Sequence, residues 1–113
     1  MNGISTHILD ISRGRPAASV KVTLERSDGE EWREIAAEIT DQDGRIKQLL
    51  HRQDPLLIGL YRLTFDTQAY FEASGVAGLY PVVQVTITVT DDGAHYHIPL
   101  LLTANGYSTY RGS

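Results

Sequence analysis

The sequence contains no cysteine, and this absence excludes several kinds of site at once. Without thiols there is no disulfide, no thiolate nucleophile and no zinc–thiolate cluster, so stability has to come from packing or from association of subunits. The absence also fits a reducing compartment. We expect a cytoplasmic protein, because the first residues also lack the basic and apolar regions of a secretory signal.

A basic surplus and long apolar runs are missing as well. The chain of 113 residues has 10 Lys and Arg against 14 Asp and Glu, which gives a formal net charge of −4. With its Lys and Arg scattered along the chain, the protein is not expected to bind nucleic acid. No apolar run approaches the length that crosses a bilayer, so no membrane partner is expected either.

The composition that remains is typical of a globular domain. Hydrophobic residues make up 42% of the chain and charged residues 21%, which is unlike a disordered segment. Because surface-to-volume scaling gives a chain of this length one modest core, we expect a single domain over residues 1–113.

Alternation of apolar and polar residues predicts short strands along most of the chain. The predicted strands are residues 4–9, 20–25, 32–39, 59–65, 81–90, 95–103 and 107–111. Segment 32–38 is rich in Ala and Glu and fits a helix on propensity alone, but we predict a strand there. One short helix is predicted over 67–74, capped by Thr67 and closed by Gly75. Short strands at this spacing predict an antiparallel β-sandwich.

Four histidines are candidates for proton transfer, because an imidazole has an ordinary pKa of about 6.5. His95 and His97 are two residues apart on one predicted strand, so their side chains leave the same face, and His7 lies on the first strand. A histidine on a strand is more often a surface residue than a catalyst, and His51 in its polar loop is interpreted that way.

Two features stay open on spacing alone. The pair His95 and His97 could share a metal ion, but no third ligand is evident nearby, so no metal site is expected. Arg45 follows the turn at residues 41–44, where it is either a solvated residue or a cation for an electron-rich ligand. The segment 110–113 would by itself be interpreted as a frayed end.

That last segment, Tyr110-Arg111-Gly112-Ser113, resembles the signature ending of the 5-hydroxyisourate hydrolases of the transthyretin-like family. Three further segments are similar to that family, so the resemblance extends over essentially the whole chain. They are Ile4-Ser5-Thr6-His7-Ile8-Leu9-Asp10 with Arg13-Gly14-Arg15-Pro16-Ala17, the turn Asp41-Gln42-Asp43-Gly44-Arg45, and His95-Tyr96-His97-Ile98-Pro99-Leu100.

The resemblance implies a transthyretin-like sandwich of two four-stranded antiparallel sheets with one short helix, assembled as a homotetramer with active sites in the channel between dimers. It also implies an enzyme with a small-molecule substrate. That enzyme hydrolyses 5-hydroxyisourate, a product of urate oxidation, to 2-oxo-4-hydroxy-4-carboxy-5-ureidoimidazoline on the route to allantoin. No cofactor and no metal ion are implied.

Carried over to matching positions, the implied catalytic residues are His7, Arg45, His97 and Ser113, and the implied substrate-binding residues are His7, Arg45, Tyr110 and Arg111. We assign His97 as the general base, with His7 positioning water or protonating the leaving nitrogen. Arg45 would stabilise developing negative charge. The division of roles between the two imidazoles stays open, and His95 is a second candidate.

Two other functions fit the strand pattern. A transthyretin-type carrier of a hydrophobic hormone would share the fold but catalyse no reaction. The resemblance to such carriers is weaker, because they have Lys, Glu and Thr at the positions where this chain has imidazoles and Arg45. A plain β-sandwich binding module would leave the matching motifs as coincidence.

Overall fold

The alternating segments of the sequence form two β-sheets, with one short helix between two of the strands. The computed structural model describes residues 2–51 and 53–113. Its elements are β1 Gly3–Asp10, β2 Arg15–Pro16, β3 Lys21–Ser27, β4 Trp32–Ile39, β5 Arg45–Ile46, β6 Gly59–Phe65, α1 Thr67–Ala73, β7 Val83–Val89, β8 His95–Thr103 and β9 Gly106–Thr109. No helix in these ranges is long and apolar enough to cross a bilayer.

The two sheets confirm the predicted sandwich and correct its details. One sheet has the order β2-β1-β8-β9, with β5 also paired to β1, and the other has the order β4-β3-β6-β7. The first sheet therefore has five strands instead of four, and β1 pairs with β8 in parallel. Parallel neighbours need a long connection, and here the entire second sheet lies between β1 and β8 in the chain.

The core lies between the two sheets. Ile8 of β1 and Leu100 of β8 face Leu24 of β3 and Leu63 of β6, and all four side chains are fully buried. Because successive side chains of a strand point to opposite faces, burying Ile8 directs His7 to the outer face of the first sheet. That outer face carries polar residues, among them Ser5 and His97.

Most strand predictions are confirmed, including the strand over residues 32–39 that propensity left open. The strand predicted from residue 81 begins later, at Val83. Pro81 has no N–H to offer a sheet, and its carbonyl accepts a hydrogen bond from the Gln68 N–H at 3.1 Å instead.

The predicted helix is present, but its predicted cap is wrong. Asp66 is the N-cap, and its carboxylate accepts a hydrogen bond from the Ala69 N–H at 3.3 Å. The Thr67 side chain is buried and donates to the Tyr80 carbonyl at 2.7 Å, so it is not free to cap the helix. Gly75 follows the helix with φ +71°, a conformation that glycine adopts without strain, as its predicted closing role requires.

The last predicted strand is shorter than expected. It was predicted to continue to Arg111, but β9 ends at Thr109. The chain then turns back toward β8, where the Gly112 N–H donates to the His97 carbonyl at 2.8 Å. This change of direction, which strand parity does not anticipate, determines where the last residues lie.

Candidate active site

A cleft of about 300 Å³ opens on the outer face of the first sheet. This volume is at the lower end of the usual range for small-molecule sites, about 300–1,000 Å³. Its lining residues are Ser5, Thr6, Arg45, Ile46, Lys47, His95, His97 and Ser113. These residues come from four separate parts of the chain, so the cleft is a product of the fold.

The parallel register of β1 and β8 brings the histidines together. Ser5 lies opposite His97, and His7 lies opposite the next outward position, Pro99. Because opposed residues in a sheet share a face, Ser5, His7 and His97 all belong to the outer surface of the sandwich. His7 also lies opposite Arg45 of β5 in the antiparallel direction.

Ser5 connects the two histidines of β8. Its Oγ lies 2.8 Å from His95 Nε2 and 2.7 Å from His97 Nδ1, both within hydrogen-bond range. Sequence reasoning missed Ser5, although its parity with His7 placed it on the same face. The missing information was the register between two strands at opposite ends of the chain.

A tight turn fixes the position of Arg45. The Asp41 carboxylate accepts hydrogen bonds from the backbone N–H groups of Asp43, at 2.9 Å, and of Arg45, at 3.0 Å. These bonds, led by the one from Arg45, lower the pKa of Asp41. Gly44 has φ +74°, and a Cβ there would collide with the Ile8 carbonyl, so the turn requires glycine. The sequence pattern predicted this turn, and the structure places the arginine that follows it in the cleft.

The environment of His97 favours its neutral form. Burial lowers the pKa of His97, and the neighbouring charges of His7, Arg45 and His95 lower it further. Near neutral pH the imidazole is therefore uncharged, as a base must be before it accepts a proton. Within residues 2–51 and 53–113 its Nε2 makes no hydrogen bond to the protein, so this nitrogen is available to water or substrate.

The last four residues separate into two groups. Ser113 lines the cleft beside His97, held there by the bridge between Gly112 and His97. Tyr110 and Arg111 line a second depression, next to residues of β7. The Arg111 guanidinium stacks over the Tyr96 ring, 4.3 Å from its centroid. Within one chain, the expected substrate-binding pair Tyr110 and Arg111 thus lies apart from the cleft that holds Arg45 and His97.

Metal binding can be considered from the same geometry. In the part of the chain that the structure describes, no group of three or more His, Asp or Glu side chains is arranged to hold a metal ion. His95 Nε2 and His97 Nδ1 both form hydrogen bonds with the Ser5 hydroxyl. That arrangement suits proton transfer through hydrogen bonds.

Comparison with known proteins identifies similar chains along the whole length. The model of the HIUase/Transthyretin family matches residues 4–112. A 5-hydroxyisourate hydrolase of Caulobacter vibrioides is 44% identical, with 100% of each chain covered. The solved structure of the Klebsiella pneumoniae 5-hydroxyisourate hydrolase is 41% identical, with a TM-score of 0.83 over 97% of this chain and 98% of that one. Sea bream transthyretin in complex with thyroxine is 32% identical, with a TM-score of 0.87 over 96% and 93% of the two chains.

Proposed function

The chain belongs to the HIUase/transthyretin family, and on that premise we propose that it hydrolyses 5-hydroxyisourate in the cleft of the first sheet. One observation carries the proposal: an imidazole with a lowered pKa, His97, lies in the same cleft as the guanidinium of Arg45. A neutral base beside a fixed cation is the equipment that water attack on a ring carbonyl needs.

His97 is the general base of the proposed reaction. Its free Nε2 takes a proton from water as the water oxygen bonds to the ring carbonyl carbon. The protonated ring then returns that proton to the leaving nitrogen, either directly or through His7, as the carbon–nitrogen bond breaks. His7 is suitably placed because it lies one outward position from Ser5 on the same strand.

Arg45 stabilises the negative charge that develops on the carbonyl oxygen. A guanidinium offers several N–H donors in a fixed fork, and removing one donor of this kind typically costs about 10²–10³ in kcat. Ser113 contributes a polar group at the edge of the cleft. Roles for Tyr110 and Arg111 in binding substrate stay predictions, because in a single chain they line the second depression.

A homotetramer with its active sites between subunits is part of the proposal. Support comes from the openness of the outer sheet face and from large apolar side chains left exposed, such as Leu79 and Tyr107. We also propose that the chain is a single domain and that it works in the cytoplasm, without a metal ion or cofactor.

A carrier function has less support. The chain is similar to sea bream transthyretin in fold and in sequence, but a site for a hydrophobic hormone would be lined mainly by apolar side chains. Among the described residues that line this cleft, Ile46 is the one with an apolar side chain, and the others are Ser5, Thr6, Arg45, Lys47, His95, His97 and Ser113.

The direct test uses substrate generated in place. Urate oxidase converts urate to 5-hydroxyisourate, and the decay of its absorbance is followed with and without this protein. We expect strong acceleration that thorough EDTA treatment leaves intact. Decay at the spontaneous rate would contradict the proposed function, and activity lost to EDTA and restored by zinc would contradict the metal-free mechanism.

Histidine variants identify the base within the same assay. His97→Ala and His7→Ala are each expected to lower turnover on the order of 10²-fold, as for general acid–base groups. His51→Ala is the matched control, because His51 lies outside the cleft, 3.9 Å from Glu38. A loss at His51 equal to that at His97 would show that the wrong imidazole has been assigned.

A further inference from the structure

Three side chains form a hydrogen-bonded row across the floor of the cleft, and the proposed reaction uses only one of them. His95 Nε2 and His97 Nδ1 both lie within 2.8 Å of the same oxygen, Ser5 Oγ. Ser5 is only 6% exposed, so water has little access to its hydroxyl. The row is therefore built into the sheet.

The single hydroxyl proton of Ser5 restricts how the row can be protonated. Ser5 can donate to only one ring, so the other ring nitrogen must itself carry a proton and donate to Oγ. If His97 Nδ1–H is the donor, Ser5 donates to His95 and the free Nε2 of His97 holds a lone pair. If His95 Nε2–H is the donor, Ser5 donates to His97 Nδ1, and neutral His97 carries its proton on Nε2. A third arrangement, in which both rings donate to Oγ, would leave the Ser5 proton with no acceptor among the described residues, at a position that water hardly reaches. Of the two arrangements that use the hydroxyl proton, only the one with His97 Nδ1–H as the donor leaves His97 able to act as a base.

We propose that His95 is a positioning residue that acts through Ser5: as a neutral acceptor it keeps the Nε2 of His97 unprotonated and ready to take a proton from water. The inference rests on the proposed function, since it concerns the base of that reaction. It follows from the two distances and from the count of one proton on the hydroxyl.

The same row balances the charge created at His97. When Nε2 takes a proton from water, the Nδ1 proton moves to Ser5 Oγ, and the original Ser5 proton moves to His95 Nε2. The positive charge then rests on His95 while hydroxide adds to the carbonyl carbon. The reverse shift returns the proton through Nε2 of His97 to the leaving nitrogen.

The surroundings favour this movement of charge away from His97. His97 is half-buried, and His7 on β1 and Arg45 on β5 lower its pKa, whereas Lys47 lines the same cleft without contributing to that shift. His95 is exposed at the start of β8, where water can hydrate a charged ring. A positive charge is therefore better solvated on the exposed His95 ring than on the half-buried His97 ring.

The kinetic test replaces His95 by a side chain that keeps the hydrogen bond but cannot take up a proton. His95→Gln is expected to lower kcat by about 10-fold or more and to leave KM within about twofold.

Ser5→Ala breaks the same row at its centre. We expect a similar loss of kcat, and the double variant with His95→Gln should be no slower than Ser5→Ala alone, because either change interrupts one path. His51→Gln and Ser27→Ala, which lie outside the cleft, are the controls for folding and for substitution type. Wild-type kcat in His95→Gln, or losses that multiply in the double variant, would overturn the proposal.

A measurement without substrate separates this inference from the proposed function. Nitrogen NMR of histidine-labelled protein near neutral pH should show the His97 proton on Nδ1, and Ser5→Ala should abolish that preference. A proton on Nε2 of wild-type His97 would overturn the inference even in a fully active enzyme. The expected tautomer in a protein that leaves 5-hydroxyisourate untouched would contradict the proposed function and leave the role of His95 standing.

Discussion

At the scale of single residues, the charge of Arg45 has two effects in the cleft, one on the substrate and one on His97. The guanidinium is expected to bind electron-rich oxygens of the substrate, and its charge also lowers the pKa of His97. A cation that stabilises the intermediate thus also keeps the base uncharged before the reaction begins.

Replacing the arginine should therefore change two measurable properties together. Arg45→Gln is expected to lower kcat by about 10²-fold or more, because the developing oxyanion loses its partner. It should also raise the pH at which the His97 ring titrates in an NMR titration, since the imidazolium no longer faces a neighbouring cation.

Lys47→Gln provides the comparison. Lys47 lines the same cleft, but it is not among the groups that shift the pKa of His97. We expect the His97 titration to be unchanged in this variant. If Arg45→Gln left the titration in place, or if Lys47→Gln moved it by as much, the coupling between Arg45 and His97 would be disproved.

The candidate residues were predictable from the sequence to different degrees. Strand parity placed His95 and His97 on one face of their strand and His7 on the first strand, and the turn at 41–44 marked Arg45. Ser5 was missed because its importance depends on lying opposite His97, and that register joins strands 92 positions apart. Periodicity within a strand does not report which distant strand will pair with it.

At the scale of elements, the segment after β9 is the one that completes the cleft. The N–H of Gly112 bonds to the His97 carbonyl, and its Cα packs against the imidazole. An ideal Cβ at this position would lie 2.6 Å from His97 Cδ2 and 3.4 Å from Pro99 Cγ. The absence of a side chain at Gly112 is therefore what allows the segment to lie against the ring.

Gly112→Ala should impair catalysis without unfolding the protein. The added methyl group forces either the His97 ring or the terminal segment to move, and a shift of about 1 Å in a catalytic group can cost roughly 10²-fold in rate. Thermal unfolding should change little, because the segment lies outside the core between the sheets. Turnover and thermal denaturation measured on the same sample check both expectations.

Gly106→Ala is the matched control for this substitution. Gly106 begins β9 in the same sheet, and a Cβ there would come no closer than 3.7 Å to Thr103 Oγ1. Neither glycine has a positive φ, so backbone strain does not separate the two variants. Equal turnover in both would show that the contact with the His97 ring has no functional consequence.

The elements themselves were largely predictable, and the exceptions have local causes. The bounds of β4, β6 and β8 match the predicted segments, and the alternation of β6 and β8 was clear because each of these two strands has one face in the core. The predicted helix cap, Thr67, is one residue too late. The Thr67 hydroxyl donates to the Tyr80 carbonyl, and Asp66 caps the helix instead. The two-residue strands β2 and β5 were not predicted, since so short a segment carries no periodicity.

On the scale of the whole molecule, the single chain leaves two features unexplained by its own fold. The cleft is open on the outer face of the first sheet. Several large apolar side chains are exposed, among them Leu79 at 63% and Tyr110 at 57%. Exposed apolar surface of this kind is typical of proteins that associate, because burial removes it from water.

Association would also change the chemistry of the cleft. Covering the outer sheet face with another subunit would exclude bulk water, and electrostatic interactions inside the cleft would strengthen as the local dielectric falls. The charge of Arg45 would then act more strongly on an intermediate than it does in an open depression. Full activity is thus expected to depend on assembly.

The assembled state can be tested by mass and by dilution together. Native mass measurement is expected to give a homotetramer, and turnover per subunit should fall when the protein is diluted into the range where the tetramer dissociates. The fall should follow the loss of tetramer measured at the same concentrations, because in the proposed assembly each site lies between subunits. A monomer with full turnover per subunit at every concentration would contradict the assembly and would show that the open cleft of one chain is sufficient for hydrolysis.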